Sequence, residues 1–561
     1  MSSFMNTNKD QLKSCFNEIC QTKNYHYTYG TAGFRDNAKR LDTVMFTTGI
    51  VACLRSLTLQ TSNKHSAIGV MVTASHNPPE DNGVKIIEPN GSMLLQEWEP
   101  KATQFANIAA NESFDEFYQL LIDSIVTLEN DLNIKQPPTL ILGHDSRDSS
   151  PTLMNHIIKS ATLIFNAKII NYNYVTTPQL HFLTNLTNTT GTAEEINYYD
   201  HFNKYLSQLQ SLYPPFNLPF DNLIIDAANG IGAPQVEKLL FTKNKFPPLN
   251  IKNPIKIINN DSKNPNLLNM NCGADYVKTN QKLPQGIPKD IDANSTLFCS
   301  YDGDADRIVF YYIDPMTNNF NLLDGDKIAT LFAKFFSNLL TIAKLNHILK
   351  LGVVQTAYAN GSSTNYISSK LKVPVSCTKT GVKHLHHEAI TKYDIGIYFE
   401  ANGHGTVIFS DKFHSELTKL KESGSSREIK TLLLFSELIN QTVGDAMSDM
   451  LAVIAVLSIL QLSPNSWDKE YKDLPNKLAK VIVPDRSKFI TTDQERKLVE
   501  PKGLQPLLEE AVASVSLGRS FVRASGTEDA VRVYAEAKTQ EETEWLSKKV
   551  CQLVIESVTQ G

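Results

Sequence analysis

The chain predicts an α/β protein of several domains, and three observations carry that expectation. It runs to 561 residues, too long for one core when domains typically span about 100 to 200 residues. Short apolar runs ending in Gly, Asp, Asn or Ser recur along it, and most lead through a polar turn into helical spacing, as in Ala233-Pro234-Gln235-Val236-Glu237-Lys238-Leu239-Leu240. Buried strands alternating with helices build sheets covered on both faces.

In chain order the strand candidates are Ile68 to Val72, Leu140 to Leu142, Leu223 to Ile225, Leu297 to Cys299, Leu351 to Val354 and Ile395 to Phe399. Each is apolar along its length, which suits a strand buried on both sides. Loops at the carboxyl ends of such strands are where these sheets bind ligands. Asp226-Ala227-Ala228-Asn229-Gly230 and Thr356-Ala357-Tyr358-Ala359-Asn360-Gly361 follow two of the strands, and their likeness suggests an internal duplication. The segments from Thr242 to Lys263 and from Lys278 to Asn294, rich in Asn, Pro, Gly and Lys, are expected as loops. Ser463 to Ser466 is expected as a linker ahead of a smaller C-terminal domain.

Bulk composition excludes several function classes. Hydrophobic content of 41% and charged content of 20% are those of an ordinary globular protein. A net charge of -5 gives no reason to expect nucleic acid. The start, Met1-Ser2-Ser3-Phe4-Met5-Asn6, lacks the basic and apolar regions of a signal peptide, and no run reaches about 18 apolar residues, so a cytoplasmic protein without a membrane partner is expected. The seven cysteines are scattered, without a C-x-x-C pair, and predict neither a disulfide framework nor a zinc site.

Four loops carry chemistry. Ser75, in Thr73-Ala74-Ser75-His76-Asn77-Pro78, follows an apolar strand and precedes prolines that forbid regular helix, so it is expected to be displayed. A plain Ser-Pro turn is the alternative, but Lys85, beyond the turn glycine Gly83, could return to the same site with a positive charge or a proton. In Asp302-Gly303-Asp304-Ala305-Asp306-Arg307 the aspartates alternate, and in an extended segment alternation places all three carboxylates on one side. Such a cluster calls for a cation. An EF-hand loop would need Gly at position six and Glu at twelve, where Arg307 and Ile313 stand. Oxygen-only ligands suit magnesium better than zinc.

Arg523-Ala524-Ser525-Gly526-Thr527, with Arg532 shortly after, offers two guanidinium forks, two hydroxyls and a glycine, an inventory suited to a phosphate monoester; an exposed turn with surface ion pairs is the alternative. Glu400-Ala401-Asn402-Gly403-His404-Gly405 brings an acid, an amide and an imidazole to one turn, the groups that pyranose hydroxyls call for. His384, His386 and His387 lack the Glu of H-E-x-x-H and do not read as a zinc site. The serine, the carboxylates and the arginines together point to phosphoryl transfer to and from a serine.

In this order the four loops resemble those of the α-D-phosphohexomutase superfamily, over nearly the full chain from Gly30-Thr31-Ala32-Gly33-Phe34-Arg35 to Val531-Arg532-Val533-Tyr534. The form Glu400-Ala401-Asn402-Gly403-His404, with Gly381-Val382-Lys383-His384, is similar to the acetylglucosamine branch; Ala524 departs from the commoner Pro, with only a small effect expected on loop rigidity. The resemblance implies four domains around a central cleft: α/β domains over 1–187, 188–315 and 316–460, and a C-terminal α+β domain over 461–561. It implies Ser75 as the phosphorylated nucleophile and, with Asp302, Asp304 and Asp306, a magnesium ligand through its phosphate. Arg35, Lys85, Arg307 and His404 would surround the reacting centre. Thr380, Gly381, Glu400 and Asn402 would hold the sugar, and Arg523, Ser525, Gly526, Thr527 and Arg532 the distal phosphate.

The implied reaction interconverts N-acetylglucosamine 6-phosphate and 1-phosphate through a sugar 1,6-bisphosphate, which also serves as activator, and feeds UDP-N-acetylglucosamine synthesis. Small-molecule sugar phosphates are the expected partners, with the protein a monomer or weak dimer. A glucose- or mannose-type mutase of relaxed specificity and a silent sugar-phosphate sensor are the competing readings.

Overall fold

The computed structural model describes residues 8–30, 33–60, 66–131, 136–242, 255–289, 291–422, 426–525 and 529–559. It divides into two compact units, Met1–Leu322 with Glu437–Ile459, and Leu323–Ser436 with Leu460–Gly561.

The first unit holds two five-stranded sheets. One consists of β1 (Phe34–Asn37), β2 (Ile68–Val72), β3 (Asp81–Ile87), β4 (Thr139–His144) and β5 (Lys168–Tyr174), in the order β1-β3-β2-β4-β5. The other consists of β6 (Asn222–Asp226), β7 (Ile255–Ile258), β8 (Thr296–Tyr301), β9 (Ile308–Ile313) and β10 (Phe320–Leu323), in the order β10-β9-β8-β6-β7. The second unit holds β11 (Leu351–Thr356), β12 (Val375–Thr378), β13 (Ile395–Phe399) and β14 (Gly405–Phe409), in the order β12-β11-β13-β14.

The duplication suggested by the two Asn-Gly turns is visible in these sheets. In the second sheet β7, β6 and β8 run parallel and β9 returns antiparallel. In the third, β12, β11 and β13 run parallel and β14 returns antiparallel. Both therefore follow the same chain path, and each Asn-Gly stands just beyond the first strand of its sheet. The first sheet has the same pairing sequence, with β5, β4 and β2 parallel and β3 antiparallel, but the chain enters it at a different strand.

All six predicted strands form, because β2, β4, β6, β8, β11 and β13 are buried over most or all of their residues and a continuous apolar run satisfies both covered faces. The predicted helix from Ala233 lies within Gly232–Phe241. Two loop expectations need correction. The stretch from Thr242 to Lys263 contains β7, whose Ile-Lys-Ile-Ile pairs parallel to β6, while residues 243–254 lie outside the described residues. The stretch from Ser463 to Ser466 is no slack linker: Ser463 caps the short helix Pro464–Asp468, whose Trp467 is buried and donates its indole N–H to the Lys327 carbonyl at 3.2 Å. Lys278 to Asn294 is largely irregular, as expected, after the helix Ala274–Asn280 ends.

The second unit also contains an antiparallel sheet of β15 (Asn476–Ile482), β18 (Arg519–Ala524) and β19 (Ala530–Glu536), in the order β15-β19-β18. Val481, Val531, Val533 and Ala535 pack under Leu546 and Val550 of the helix Gln540–Thr559. β16 (Ile490–Thr492) and β17 (Lys497–Glu500) pair antiparallel as a separate hairpin. Among the described residues no helix is long and apolar enough to cross a membrane.

Candidate active site

In the first unit the loop after β2 meets the loop after β8. Ser75 Oγ donates to Asp302 Oδ2 at 2.6 Å. The serine is only 1% exposed, so the expectation of a displayed side chain is corrected: proline does leave an irregular loop, but the loop folds inward onto the aspartates. Ser75 also has φ of 53°, a left-handed conformation that costs a non-glycine residue energy and persists only where its surroundings enforce it.

Those surroundings are identifiable. The fully buried Arg147 donates through Nη2 to the carbonyls of Ser75 and Asn77, both at 2.9 Å, and through Nη1 to those of Pro78 and Asp81. Its Nε is paired with Asp145 at 3.0 Å, and Asp145 accepts from Thr73 Oγ1 at 2.7 Å, which in turn accepts from the Ser75 amide at 2.9 Å. Asn269 adds a donor to the Ser75 carbonyl at 3.0 Å. One guanidinium thus gathers four carbonyls of a loop with no regular structure of its own.

The three aspartates converge, though not by strand alternation. Residues 302–306 form a turn in which the Ala305 amide donates to the Asp302 carbonyl at 3.1 Å and Ala305 has φ of 57°. Gly303 permits close contact here, since a Cβ at that position would meet the Ser75 carbonyl oxygen at 2.5 Å. The result is three buried carboxylates offering ligand oxygens within 4.8 Å of one another. Burial, then the charges of Asp306 and Asp304, push the Asp302 carboxyl well above the usual carboxylate range.

This donor set fits a hard divalent cation. Asp304 Oδ1 is buried with no hydrogen-bond partner among the described residues, while its Oδ2 accepts from Thr177 Oγ1 at 2.5 Å. A buried carboxylate oxygen left without a donor is costly unless a cation meets it.

Cations border the cluster. Lys85 Nζ lies 3.1 Å from both Asp304 Oδ2 and Asp306 Oδ2. Burial alone would lower the Lys85 ammonium, but Asp304 and Asp306 outweigh it and hold it above the usual lysine value. Arg307 Nε stands 3.8 Å from Asp302 and Asp306. Arg35 reaches the serine loop at Asn77 Oδ1, 3.1 Å away, and burial, then Arg307, lower its guanidinium. His76, 3.4 Å from Ser75 Oγ, is pushed down to about 2 by burial and then by Arg307 and Arg35, so its ring is neutral.

The second unit assembles the other two predicted loops. Between β13 and β14 the Glu400 amide donates to the His404 carbonyl at 2.9 Å, and the His404 amide to Asn402 Oδ1 at 3.0 Å, forming a closed turn with His404 buried. Gly381 N–H donates to Glu400 Oε1 at 3.2 Å, which joins the Thr380-Gly381 segment to that turn. Arg523 and Arg532 stand opposite each other on β18 and β19. Arg523 Nε donates to Tyr358 Oη at 2.9 Å, and the Ser525 amide to the Ala530 carbonyl at 2.8 Å. Gly526 and Thr527 lie outside the described residues.

Sequence reasoning missed Arg147, Thr177, Asn269 and Tyr358. Asp145-Ser146-Arg147 does follow the apolar run of β4, and an acid and an arginine two residues apart at a strand's carboxyl end are the signal that could have flagged it.

Comparison with known proteins places these loops in a family. Residues 188–309 and 324–462 match the models of phosphoacetylglucosamine mutase AMG1 domains II and III. Residues 40–113 and 478–553 match the phosphoglucomutase/phosphomannomutase alpha/beta/alpha domain I and C-terminal domain. The chain is 56% identical to the phosphoacetylglucosamine mutase of Saccharomyces cerevisiae over 548 residues, covering 95% of this chain and 96% of that one. Its structure is similar to a solved N-acetylglucosamine-phosphate mutase in the substrate complex (TM-score 0.88, 48% identity, 97% and 99% of the two chains). It is also similar to the Aspergillus fumigatus N-acetylphosphoglucosamine mutase in complex with GlcNAc-6P and magnesium (TM-score 0.87, 42% identity, 97% and 99% of the two chains). With two of its domains matched by models specific to that branch and 95% of its length aligned to a relative of such identity, the chain belongs to the phosphoacetylglucosamine mutase family of the α-D-phosphohexomutase superfamily.

Proposed function

We infer that the chain interconverts N-acetylglucosamine 6-phosphate and N-acetylglucosamine 1-phosphate, with Ser75 as the residue that carries the phosphoryl group. The observation that supports this most is the hydroxyl of Ser75, held in a left-handed loop 2.6 Å from Asp302 and inside a ring of three carboxylates, a lysine and arginines. In the working enzyme Ser75 is a phosphoserine. The bond from phosphorus to Ser75 Oγ breaks as a bond from phosphorus to the sugar O1 forms, and the O1 proton leaves to a base. The product of that half-reaction is a sugar 1,6-bisphosphate. In the second half the bond from phosphorus to the sugar O6 breaks as a bond from that phosphorus to Ser75 Oγ forms, and O6 takes up the proton held by the base, so the phosphoserine is regenerated and no phosphate is consumed.

Each resident group has a task in that sequence. Arg147 keeps the Ser75 loop in its strained form, so the nucleophile meets the phosphorus without reorganisation. Lys85, Arg307 and Arg35 set positive charge beside the transferring group. Magnesium, when bound by Asp302, Asp304 and Asp306, supplies charge neutralisation and a fixed orientation of the phosphoryl oxygens. Glu400, Asn402 and His404 present acceptors and donors to sugar hydroxyls, and Arg523, Ser525, Gly526, Thr527 and Arg532 grip the phosphate that is not reacting. The 1-phosphate so formed suits a nucleotidyl transfer to UDP-N-acetylglucosamine.

The test is turnover of N-acetylglucosamine 6-phosphate against glucose 6-phosphate, with magnesium and a trace of sugar bisphosphate, in the wild type and in Ser75→Ala. A higher kcat/KM on the acetylated sugar, lost in the variant while sugar-phosphate binding persists, is the expected result. Preference for glucose would keep the mechanism and move the substrate. Residual turnover near wild type in Ser75→Ala would remove that serine from the reaction.

A further inference from the structure

Glu495 belongs to none of the predicted loops, yet it joins two of them. It sits at the tip of the hairpin between β16 and β17, where Asp493, Gln494 and Glu495 have φ of 50°, 56° and 70° in succession. Three consecutive left-handed residues without a glycine are costly, and such strain persists where the surrounding structure enforces it and often where function needs it. Arg496 braces the tip by donating to Asp493 Oδ1 at 2.6 Å and to its carbonyl at 3.1 Å.

The strained tip delivers one carboxylate to a defined place. Glu495 Oε2 accepts from the Thr380 amide at 2.9 Å and from Thr380 Oγ1 at 2.5 Å. Its other oxygen faces Arg523 Nη1 at 3.7 Å, and the side chain is 16% exposed. Thr380 is followed by Gly381, whose amide donates to Glu400 Oε1. A single chain of contacts therefore runs from the Glu400 turn through Gly381, Thr380 and Glu495 to Arg523.

We propose that Glu495 is a positioning residue for the mutase reaction, fixing the spacing between the sugar-reading turn at Thr380 to Glu400 and the phosphate-reading Arg523. The inference rests on the mutase reading. A sugar phosphate has two ends at a fixed separation, and two loops bind it better than one only if their own separation is held. The carboxylate is not a stand-in for substrate phosphate: Oε2 is committed to both Thr380 donors, and 3.7 Å to Arg523 is an electrostatic approach beyond hydrogen-bond length. The orientation of Arg523 comes from Tyr358 on its Nε.

The test compares Glu495→Ala and Glu495→Gln with wild type by isothermal titration calorimetry, using N-acetylglucosamine 6-phosphate and, separately, inorganic phosphate on the full chain. Inorganic phosphate needs only one loop, whereas the sugar phosphate needs both. In Glu495→Ala the sugar phosphate should weaken about tenfold, the order carried by a hydrogen bond to a charged group, and inorganic phosphate by less than about threefold. Glu495→Gln retains an acceptor for Thr380 and should recover most of the loss. Equal weakening of both ligands would make Glu495 a mere support for Arg523, tighter phosphate binding would make it a competitor, and no change would remove it; each overturns the proposal. If the wild type turns over a different sugar phosphate, the mutase reading shifts, and the same comparison on that sugar still decides the role of Glu495.

Discussion

His386 shows how one side chain writes a pH dependence into the second unit. It lies on the helix Val382–Lys392, half-buried, with Nδ1 3.0 Å from Tyr398 Oη and its ring edge-on to that of Tyr398. Burial, and then the neighbouring His387, push its imidazole down to about 4. Between there and the ordinary histidine value of about 6.5 the unfolded chain binds a proton that the folded chain does not, so stability rises with pH across that window and is level above it. His386→Gln should flatten that slope, worth roughly 2 kcal/mol, in urea denaturation at pH 4.5 and 7; an unchanged difference between the two pH values would remove His386 as its source. At this scale the chemistry-bearing residues were legible and their settings were not. Ser75, Lys85 and the aspartates could be picked by type and spacing, but the burial of Ser75 depends on Arg147 and Asn269, distant in sequence and placed by the fold.

Among elements, the serine loop and the aspartate loop touch through backbone. A Cβ at Gly303 would meet the Ser75 carbonyl at 2.5 Å, and one at Gly230, on the Asn-Gly turn after β6, would meet the Gly303 carbonyl at 2.4 Å. Backbone cannot retreat as a flexible side chain can, so Gly303→Ala should part the loops, costing about 1 to 3 kcal/mol of stability. Displacing Ser75 from Asp302 should lower kcat by about a hundredfold. Chemical denaturation and steady-state kinetics check the two separately, and unchanged kcat would mean that the contact does not position the nucleophile. Central strands were readable for a related reason: β2, β8 and β13 are covered on both faces, so each residue must be apolar or small. Edge strands lack that pressure. β5, Lys-Ile-Ile-Asn-Tyr-Asn-Tyr, is mostly exposed or half-buried, and β7 sits among Asn, Pro and Lys, where only its parallel partner β6 makes it a strand.

For the whole molecule, the division into two units separates the two kinds of anion chemistry. The carboxylate triad with Ser75 and Lys85 belongs to the first unit, and Arg523, Arg532 and the Thr380 to Glu400 segments belong to the second. A ligand stabilises the part of a protein that binds it, by about 2.7 kcal/mol at a hundredfold excess over Kd. Magnesium alone should therefore slow amide hydrogen exchange at 73–77 and 302–307, where three like charges lose their repulsion. Inorganic phosphate, offered without metal, should slow exchange at 519–524 and 530–536. Removing magnesium with a chelator should stop turnover and release only the first of these protections. Phosphate protecting 302–307 as strongly as 519–536 would move the phosphate grip away from Arg523 and Arg532, and magnesium leaving 302–307 unchanged would remove the triad as its site.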